Sequence, residues 1–356
     1  MAINKNTDFS KWNSKESCFK KYDNVSTKLI YGKHNNRAKV SIIILSYRRV
    51  EGLINALESA LDQDYDDIYE ILVMDDSGMK TEIDSVMKEY CSKYDNIIYY
   101  RHVENIGEPG NWNRSCEICK TPWYCLLHDD DRMKRNYLSE MMKVVNRTKN
   151  EYGLIGVYVD FDDQRKAKPE KGRIRKIFEG LINLFLILRK GRIIPITLKD
   201  NMRDIYAIST CLFLNKEKVM KVGGSEDAYF PNSDSVFNSK MNYYYKIGFL
   251  PQVLATRGVY DNQSLKQEVC NNAIRASYYH TYEMAKTLNF KDGKARRKAS
   301  VCAVIHEIMV RGYNNINYGF IKQDLGMKKI YKNKLIIFLI NLYSKFCWGK
   351  LLFRKG

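Results

Sequence analysis

The sequence predicts an α/β fold, a Rossmann-like mixed sheet wound on both faces by helices and followed by a mostly helical C-terminal region. Three observations carry this. Short β-branched runs alternate with amphipathic helical stripes from residue 39 to residue 128, the order of strands joined by crossovers. The first of those runs, Lys39-Val-Ser-Ile-Ile-Ile-Leu-Ser46, is too apolar on both sides for an edge strand and reads as a buried parallel one. Two acidic clusters, Asp75/Asp76 and Asp129 to Asp131, each follow directly on a predicted strand. Ligands of open α/β sheets bind beyond the carboxyl ends of the strands, so both clusters are expected at one crevice.

Taken in order, residues 1–36 are polar and without period, and read as an N-terminal extension. A strand over 39–46 leads to a helix over 50–61, whose stripe is Leu53, Ile54, Leu57, Ala60 and Leu61. A second strand over 69–74 ends in the turn Asp75-Asp76-Ser77-Gly78. A helix over 83–94, a strand over 96–101 and a helix over 111–119 follow. The strand over 123–127 runs into His128-Asp129-Asp130-Asp131. Beyond 135 the pattern loosens to a helix over 137–145, a strand over 153–160 and a charged loop over 162–175. Then come an apolar stretch with basic flanks over 177–194, a strand over 205–215, the turn Gly223-Gly224, an acidic loop and a helix over about 235–247. From 261 the chain reads as mostly helical, and no internal repeat is present.

Composition narrows the class. The 356 residues are 45% apolar and 28% charged, which is globular rather than disordered or fibrous. A net charge of +18 points to a polyanionic partner: nucleic acid, an acidic membrane surface or a phosphorylated substrate. The nine cysteines are odd in number and scattered, so no disulfide framework is expected and a reducing compartment is. The first residues lack the apolar region of a secretory signal, and no apolar run reaches the roughly 18 residues of a spanning helix. The expected location is the cytoplasm.

Three aspartates in a row at a strand end raise one another's pKa unless a cation or donor relieves them. Hard oxygen ligands suit Mg²⁺ or Mn²⁺, which keep water and bridge to substrate phosphates. The alternative is a solvated turn or a helix cap, a common place for aspartate.

The segments KVSIIILSYRR, EILVMDDSG and NIGEPGNWNRSCEICKTPWYCLLHDDD resemble, in order and spacing, the family 2 glycosyltransferases of the GT-A fold. The resemblance is strongest over about 37–140 and extends to about 260. It implies transfer of a sugar from a nucleotide-diphosphate donor, most often a UDP-sugar, to an acceptor hydroxyl with inversion. On the matching positions, Leu45 and Tyr47 line the nucleobase pocket, Asp76 hydrogen-bonds the base, and Asp75 is structural. Asn111, Asn113 and Arg114 match the segment ahead of the metal motif, with Arg114 near the diphosphate. Asp130 matches the principal aspartate for a Mg²⁺ or Mn²⁺ ion. Asp129 and Asp131 flank it as substrate contacts. His128 replaces the motif's first aspartate, which leaves open whether it meets the metal or only the sugar.

Residues 222–240 are similar to the family's second site. Asp234 matches the catalytic base, with Ser233 in place of the usual glutamate, and inverting transfer needs one carboxylate to take the acceptor's proton. Its other reading is a cap on the helix that follows, and Glu226 and Asp227 are rival bases. The implied division is residues 37–135 for the nucleotide-sugar, 136–260 for the acceptor and base, and 261–356 for a helical region with a membrane-associating tail.

That tail, over 322–355, interleaves nine lysines and arginines with apolar residues against the single acid Asp324, the pattern of a helix lying on anionic lipid. Residues 173–192 read as a second membrane contact, a lid near the acceptor or a subunit interface. The expected enzyme is peripheral on the cytoplasmic membrane and extends a lipid-linked saccharide in bacterial surface-polysaccharide synthesis. No nucleic-acid partner is expected, because no recognition helix, zinc finger or RNA-binding signature occurs. A transferase-like scaffold without activity is the other rival, raised by His128 and Ser233. Cys116 and Cys119 have CxxC spacing but no second pair, and read as buried thiols. His280 and His306 read as ordinary helix residues, and no phosphate-binding glycine loop occurs.

Overall fold

The structure, a computed structural model, describes residues 7–79, 82–164, 191–202, 210–259, 267–291, 301, 304 and 305. Its strands are β1 Thr27–Tyr31, β2 Val40–Ser46, β3 Tyr69–Asp75, β4 Ile97–His102, β5 Trp123–His128, β6 Asp131–Met133, β7 Tyr152–Asp163, β8 Ile194–Ile196, β9 Leu212–Asn215 and β10 Lys246–Val259. They form one sheet in the order β1-β4-β3-β2-β5-β9-β7-β10-β6, with β8 added on β10. The helices are α1 Val50–Leu61, α2 Ile83–Lys93, α3 Gly107–Ile118, α4 Tyr137–Arg147, α5 Leu198–Asn201, α6 Lys216–Val222, α7 Ser233–Tyr244 and α8 Gln267–Thr287.

Every residue of β2 is buried, which is why its sequence does not alternate. The pleat sends Ile42 and Ile44 to the face covered by Leu53 and Leu57 of α1, Met87 of α2 and Leu138 and Met141 of α4. Ile43 and Leu45 go to the face covered by Trp112 and Cys116 of α3, Val219 of α6 and Phe237 and Met241 of α7. Each such side chain, fully buried, contributes on the order of 1.5–3 kcal/mol. β2 to β5 run parallel, joined by α1, α2 and α3, as the sequence pattern predicts. β9 runs antiparallel between β5 and β7, and β7 pairs parallel with β10.

Several elements differ from the sequence reading. The N-terminal segment is built into the fold: β1 pairs antiparallel with β4, and Phe9, Trp12 and Phe19 are buried. Its apolar residues act as single anchors in short 3-10 turns, so no period announces them. β10 was hidden by Gly248 and Pro251, which interrupt the β pattern; the register with β7 shifts across Leu250/Val253, where the proline has no N–H to give. β7 runs on to Asp163 where a loop was expected, α3 starts at Gly107, and α7 covers Ser233–Tyr244. The strand expected over 205–215 is β9 in its last four residues. The seven cysteines among the described residues are free, and Cys116 and Cys119 are buried. His280 is buried against Trp12. Residues 165–190, His306 and the tail over 322–355 lie outside the described residues. Among the described residues, no helix is long and apolar enough to cross a membrane.

Candidate active site

The end of β2 gathers the two acidic clusters. Leu45 is in register with Met74 of β3 and His128 of β5, and Ser46 with Asp75. The Asp76 N–H donates to Ser46 O at 2.9 Å and the Asp129 N–H to Leu45 O at 3.1 Å, so both clusters leave the sheet beside one strand. On the β5 side the Tyr47 N–H donates to Asp129 Oδ2 at 2.9 Å. Arg49 Nη1 reaches Asp129 Oδ1 at 3.2 Å and Asp130 Oδ2 at 2.7 Å. α1 presses on this turn: a Cβ on Gly52 would stand 2.4 Å from the Asp129 carbonyl oxygen. Burial pushes the Asp129 carboxyl up to about 6, against the pull of the Tyr47 N–H and Arg49.

On the β3 side Asp76 caps α3. Its Oδ1 accepts from the Ile106 N–H at 2.8 Å, and its Oδ2 from the Gly107 N–H at 2.9 Å and Asn105 Nδ2 at 2.8 Å. A carboxylate is favourable at a helix N-terminus, yet burial wins and pushes Asp76 up to about 6. Asp75 is fully buried, accepting from the Ser77 N–H and the Tyr99 hydroxyl. Leu45 is buried in the core, whereas Tyr47 is 46% exposed and carries the Arg48 guanidinium 5.1 Å from its ring centroid. Tyr47 is thus an exposed aromatic ring at the end of β2, tied through its N–H to Asp129.

Next to Asp129, His128 ends β5 with Nε2 3.2 Å from Glu108 Oε1 and Nδ1 3.7 Å from Asp131 Oδ2. Burial alone would lower this imidazole, but Asp131 and Glu108 together raise it well above its ordinary range. Asp131 is buried and accepts from the Gly258 N–H at 3.1 Å, because β6 pairs Asp131 with Arg257 of β10. Asp234 stands in the first turn of α7, past its cap residue Asn232, and accepts from the Ser235 N–H at 2.7 Å. Burial and then the charge of Glu108 raise Asp234, while Arg257 and His128 oppose them. Glu108, His128, Arg257 and Asp234 thus share one electrostatic neighbourhood.

Other expected residues lie elsewhere. Arg114 is bound to the N-terminal segment: Nη1 donates to Val25 O at 3.0 Å and Thr27 Oγ1 at 2.7 Å, and Nη2 to Tyr22 O at 2.9 Å. It clamps that segment through two carbonyls and a hydroxyl, the Tyr22 carbonyl also accepting the Val25 N–H at 2.9 Å. Asn113 is spent on Ser225, giving Nδ2 to its O at 2.7 Å and accepting its N–H at 2.8 Å. That exchange needs Gly224, at φ +78° and with no room for a Cβ beside Asn113 Oδ1. Asn111 bonds His102 and Met74 O. The rival bases are occupied too: Lys21 reaches Glu226 and Asp227, Tyr22 OH donates to Asp227 at 2.8 Å, and Cys18 Sγ lies 3.1 Å from Glu226.

The sequence reading missed Arg49, Glu108 and Arg257. Arg49 was visible in the SYRR string as a cation between a strand end and a helix start. Glu108 and Arg257 have no local signal, because only α3 packing and the β6–β10 pairing bring them in.

Among the described residues no three His, Cys, Asp or Glu side chains could together hold a metal, and both His128 nitrogens face carboxylates, so a closed site does not fit. An ion that keeps water and takes oxygens from a substrate phosphate needs only one or two carboxylates. Asp130, with its side chain 18% exposed beside Asp129, fits that lesser demand.

The glycosyl transferase family 2 model matches residues 41–219, half of the chain. An uncharacterized glycosyltransferase of Methanocaldococcus jannaschii is 25% identical over 144 residues, 39% of this chain and 49% of that protein. The minor teichoic acid biosynthesis protein GgaB of Bacillus subtilis is 29% identical over 130 residues, 36% of this chain and 14% of that protein. The aligned part therefore spans half or less of these relatives' own lengths. In three dimensions the chain is similar to residues 1–349 of S. aureus TarS in complex with UDP-GlcNAc, with a TM-score of 0.53 and 13% identity over 82% of this chain and 76% of that one. It is also similar to the mannosyltransferase PcManGT from Pyrobaculum calidifontis in complex with GDP-Man and Mn²⁺, with a TM-score of 0.51 and 13% identity over 91% and 92%. These likenesses speak for the GT-A fold alone. With strand order, acidic turns and family match in agreement, the chain belongs to glycosyl transferase family 2.

Proposed function

We propose that this chain transfers a hexosyl or N-acetylhexosaminyl group from a UDP-sugar to a hydroxyl of a saccharide acceptor, with inversion. The observation that supports it most is the gathering of Asp76 on one side of β2 and Tyr47, Asp129, Asp130 and Arg49 on the other. Asp234, under the field of Glu108, His128 and Arg257, completes the set. Tyr47 stacks on the base, which the Asp76-capped start of α3 borders. Asp234 accepts the proton of the acceptor hydroxyl as that oxygen attacks the anomeric carbon in line with the departing diphosphate. Arg257 and Arg49 supply fixed positive charge to the cleft in which that diphosphate gains its own. Asp130, with Asp129, would hold a Mg²⁺ or Mn²⁺ ion, which when bound polarises phosphate oxygens as a Lewis acid.

The test is calorimetry with UDP, with and without Mn²⁺, beside a turnover assay. Asp130→Ala is expected to remove the metal-dependent part of UDP binding, and unchanged binding refutes the metal assignment. Wild-type protein that binds no nucleoside diphosphate refutes the transferase reading itself. A bacterial surface polymer is the proposed product, supported by the likeness to GgaB, whose name places it in teichoic acid synthesis. The acceptor is proposed to be lipid-linked and the enzyme peripheral on the cytoplasmic membrane, from the basic and apolar composition over 322–355. Deleting the residues after 325 should then release the protein from vesicles of anionic lipid, and unchanged flotation counts against it.

A further inference from the structure

We propose that Glu108 is a positioning residue for the transferred sugar, acting through His128; the inference rests on the transferase reading above. His128 stands where the family pattern has an acid, and the structure gives this replacement two carboxylate neighbours. On one side, Asp131 is buried and tied to β10 through the Gly258 N–H. On the other, Glu108 Oε1 is 3.2 Å from Nε2 and its side chain is 56% exposed. The ring cannot turn about its Cβ–Cγ bond without giving up one of them.

The Glu108 contact has little to do for the fold. Buried Pro109, Trp112 and Cys116 already anchor α3, and β5 is paired on both edges. With the Glu108 carboxylate 56% exposed, water screens the pair and it adds little stability. What it fixes is direction, which is how a neighbouring group tunes a side chain that meets substrate. Glu108 follows directly on the Gly107 N–H that Asp76 holds, and its charge is felt at Asp234. Glu108 thus stands between the Asp76-held start of α3 and the His128 imidazole. His128 directly precedes the Asp129–Asp130 turn held by Arg49, so on the transferase reading its oriented imidazole is the group set towards the sugar.

The experiment is calorimetry on wild type, Glu108→Gln, His128→Gln and the double variant. The ligands are UDP and four UDP-sugars: UDP-glucose, UDP-galactose and their N-acetylhexosamine counterparts. The UDP-sugar most favoured over UDP is the probe. Glu108→Gln is expected to weaken that UDP-sugar about tenfold and UDP less than about twofold, and to add nothing once His128 is Gln. Independent, multiplying effects overturn the proposal, as does equal weakening of UDP and UDP-sugar, or no weakening. A lowered unfolding midpoint for Glu108→Gln also overturns it, in favour of a structural contact. So does wild type that takes UDP and prefers none of the sugars. Wild type that does not bind UDP sinks the transferase reading instead, which separates the two failures.

Discussion

Replacing Arg114 with methionine separates two roles for one guanidinium. The resemblance to the family sets Arg114 near the donor diphosphate, whereas the structure spends it on Tyr22 O, Val25 O and Thr27 Oγ1 at 2.9, 3.0 and 2.7 Å. Its side chain is 13% exposed, with Glu117 3.4 Å away. Hydrogen bonds from a charged donor contribute about 1.5–3 kcal/mol each. The three do not add in full, since two carbonyls and a hydroxyl near the surface recover water, so the expected loss is about 3–5 kcal/mol. Urea unfolding should show a lower midpoint at unchanged slope, while calorimetry below the transition should find UDP affinity within about twofold of wild type. A variant of unchanged stability whose UDP affinity falls about tenfold or more would refute the structural role and return Arg114 to the donor site.

Further outcomes follow from other contacts of the site and the core. Asp129 has a folded pKa of about 6 against a reference value of 3.8, so the folded state holds the extra proton and stability falls as pH rises between those values. The stability difference between wild type and Asp129→Asn, followed by urea unfolding from pH 4 to 8, should shift against wild type over that window, and a flat difference speaks against it. Asp234→Asn should bind UDP and stop transfer. In the wild type the acid limb of kcat/KM should lie above the ordinary carboxylate range, because burial and Glu108 raise Asp234. In Glu108→Gln, loss of the negative neighbour favours the ionised base, so the limb of the residual activity should move to lower pH; a fixed or rising limb contradicts the assignment. Trp12→Ala should cost about 3–5 kcal/mol in chemical denaturation, because a fully buried indole in the N-terminal segment leaves a cavity against α8; a loss under about 1 kcal/mol would mean that the segment is a loose extension.

What the sequence made legible was whatever is governed by neighbours along the chain. β2, β3 and β5 announced themselves because strands covered on both faces must be apolar throughout, and the acids after them because such strands end at one edge. The N-terminal segment was illegible because isolated anchors such as Trp12 and Phe19 have no period, and β10 because Gly248 and Pro251 break the pattern that its pairing with β7 tolerates. Arg114 misled for a related reason: the string around it matches the family, but its partners come from Tyr22 to Thr27, and no spacing within the string records them. Glu108 and Arg257 enter only through packing between distant elements.

The pairing of Asp131 with Arg257 has a consequence for how the protein is made. A ribosome delivers the acidic turn long before it delivers β10, and contacts between distant stretches form last. Until β10 docks, Asp131 lacks the Gly258 N–H and Asp234 lacks its arginine neighbour. On the proposed function, the nascent polypeptide should therefore be unable to cleave nucleotide-sugars until β10 has joined the sheet.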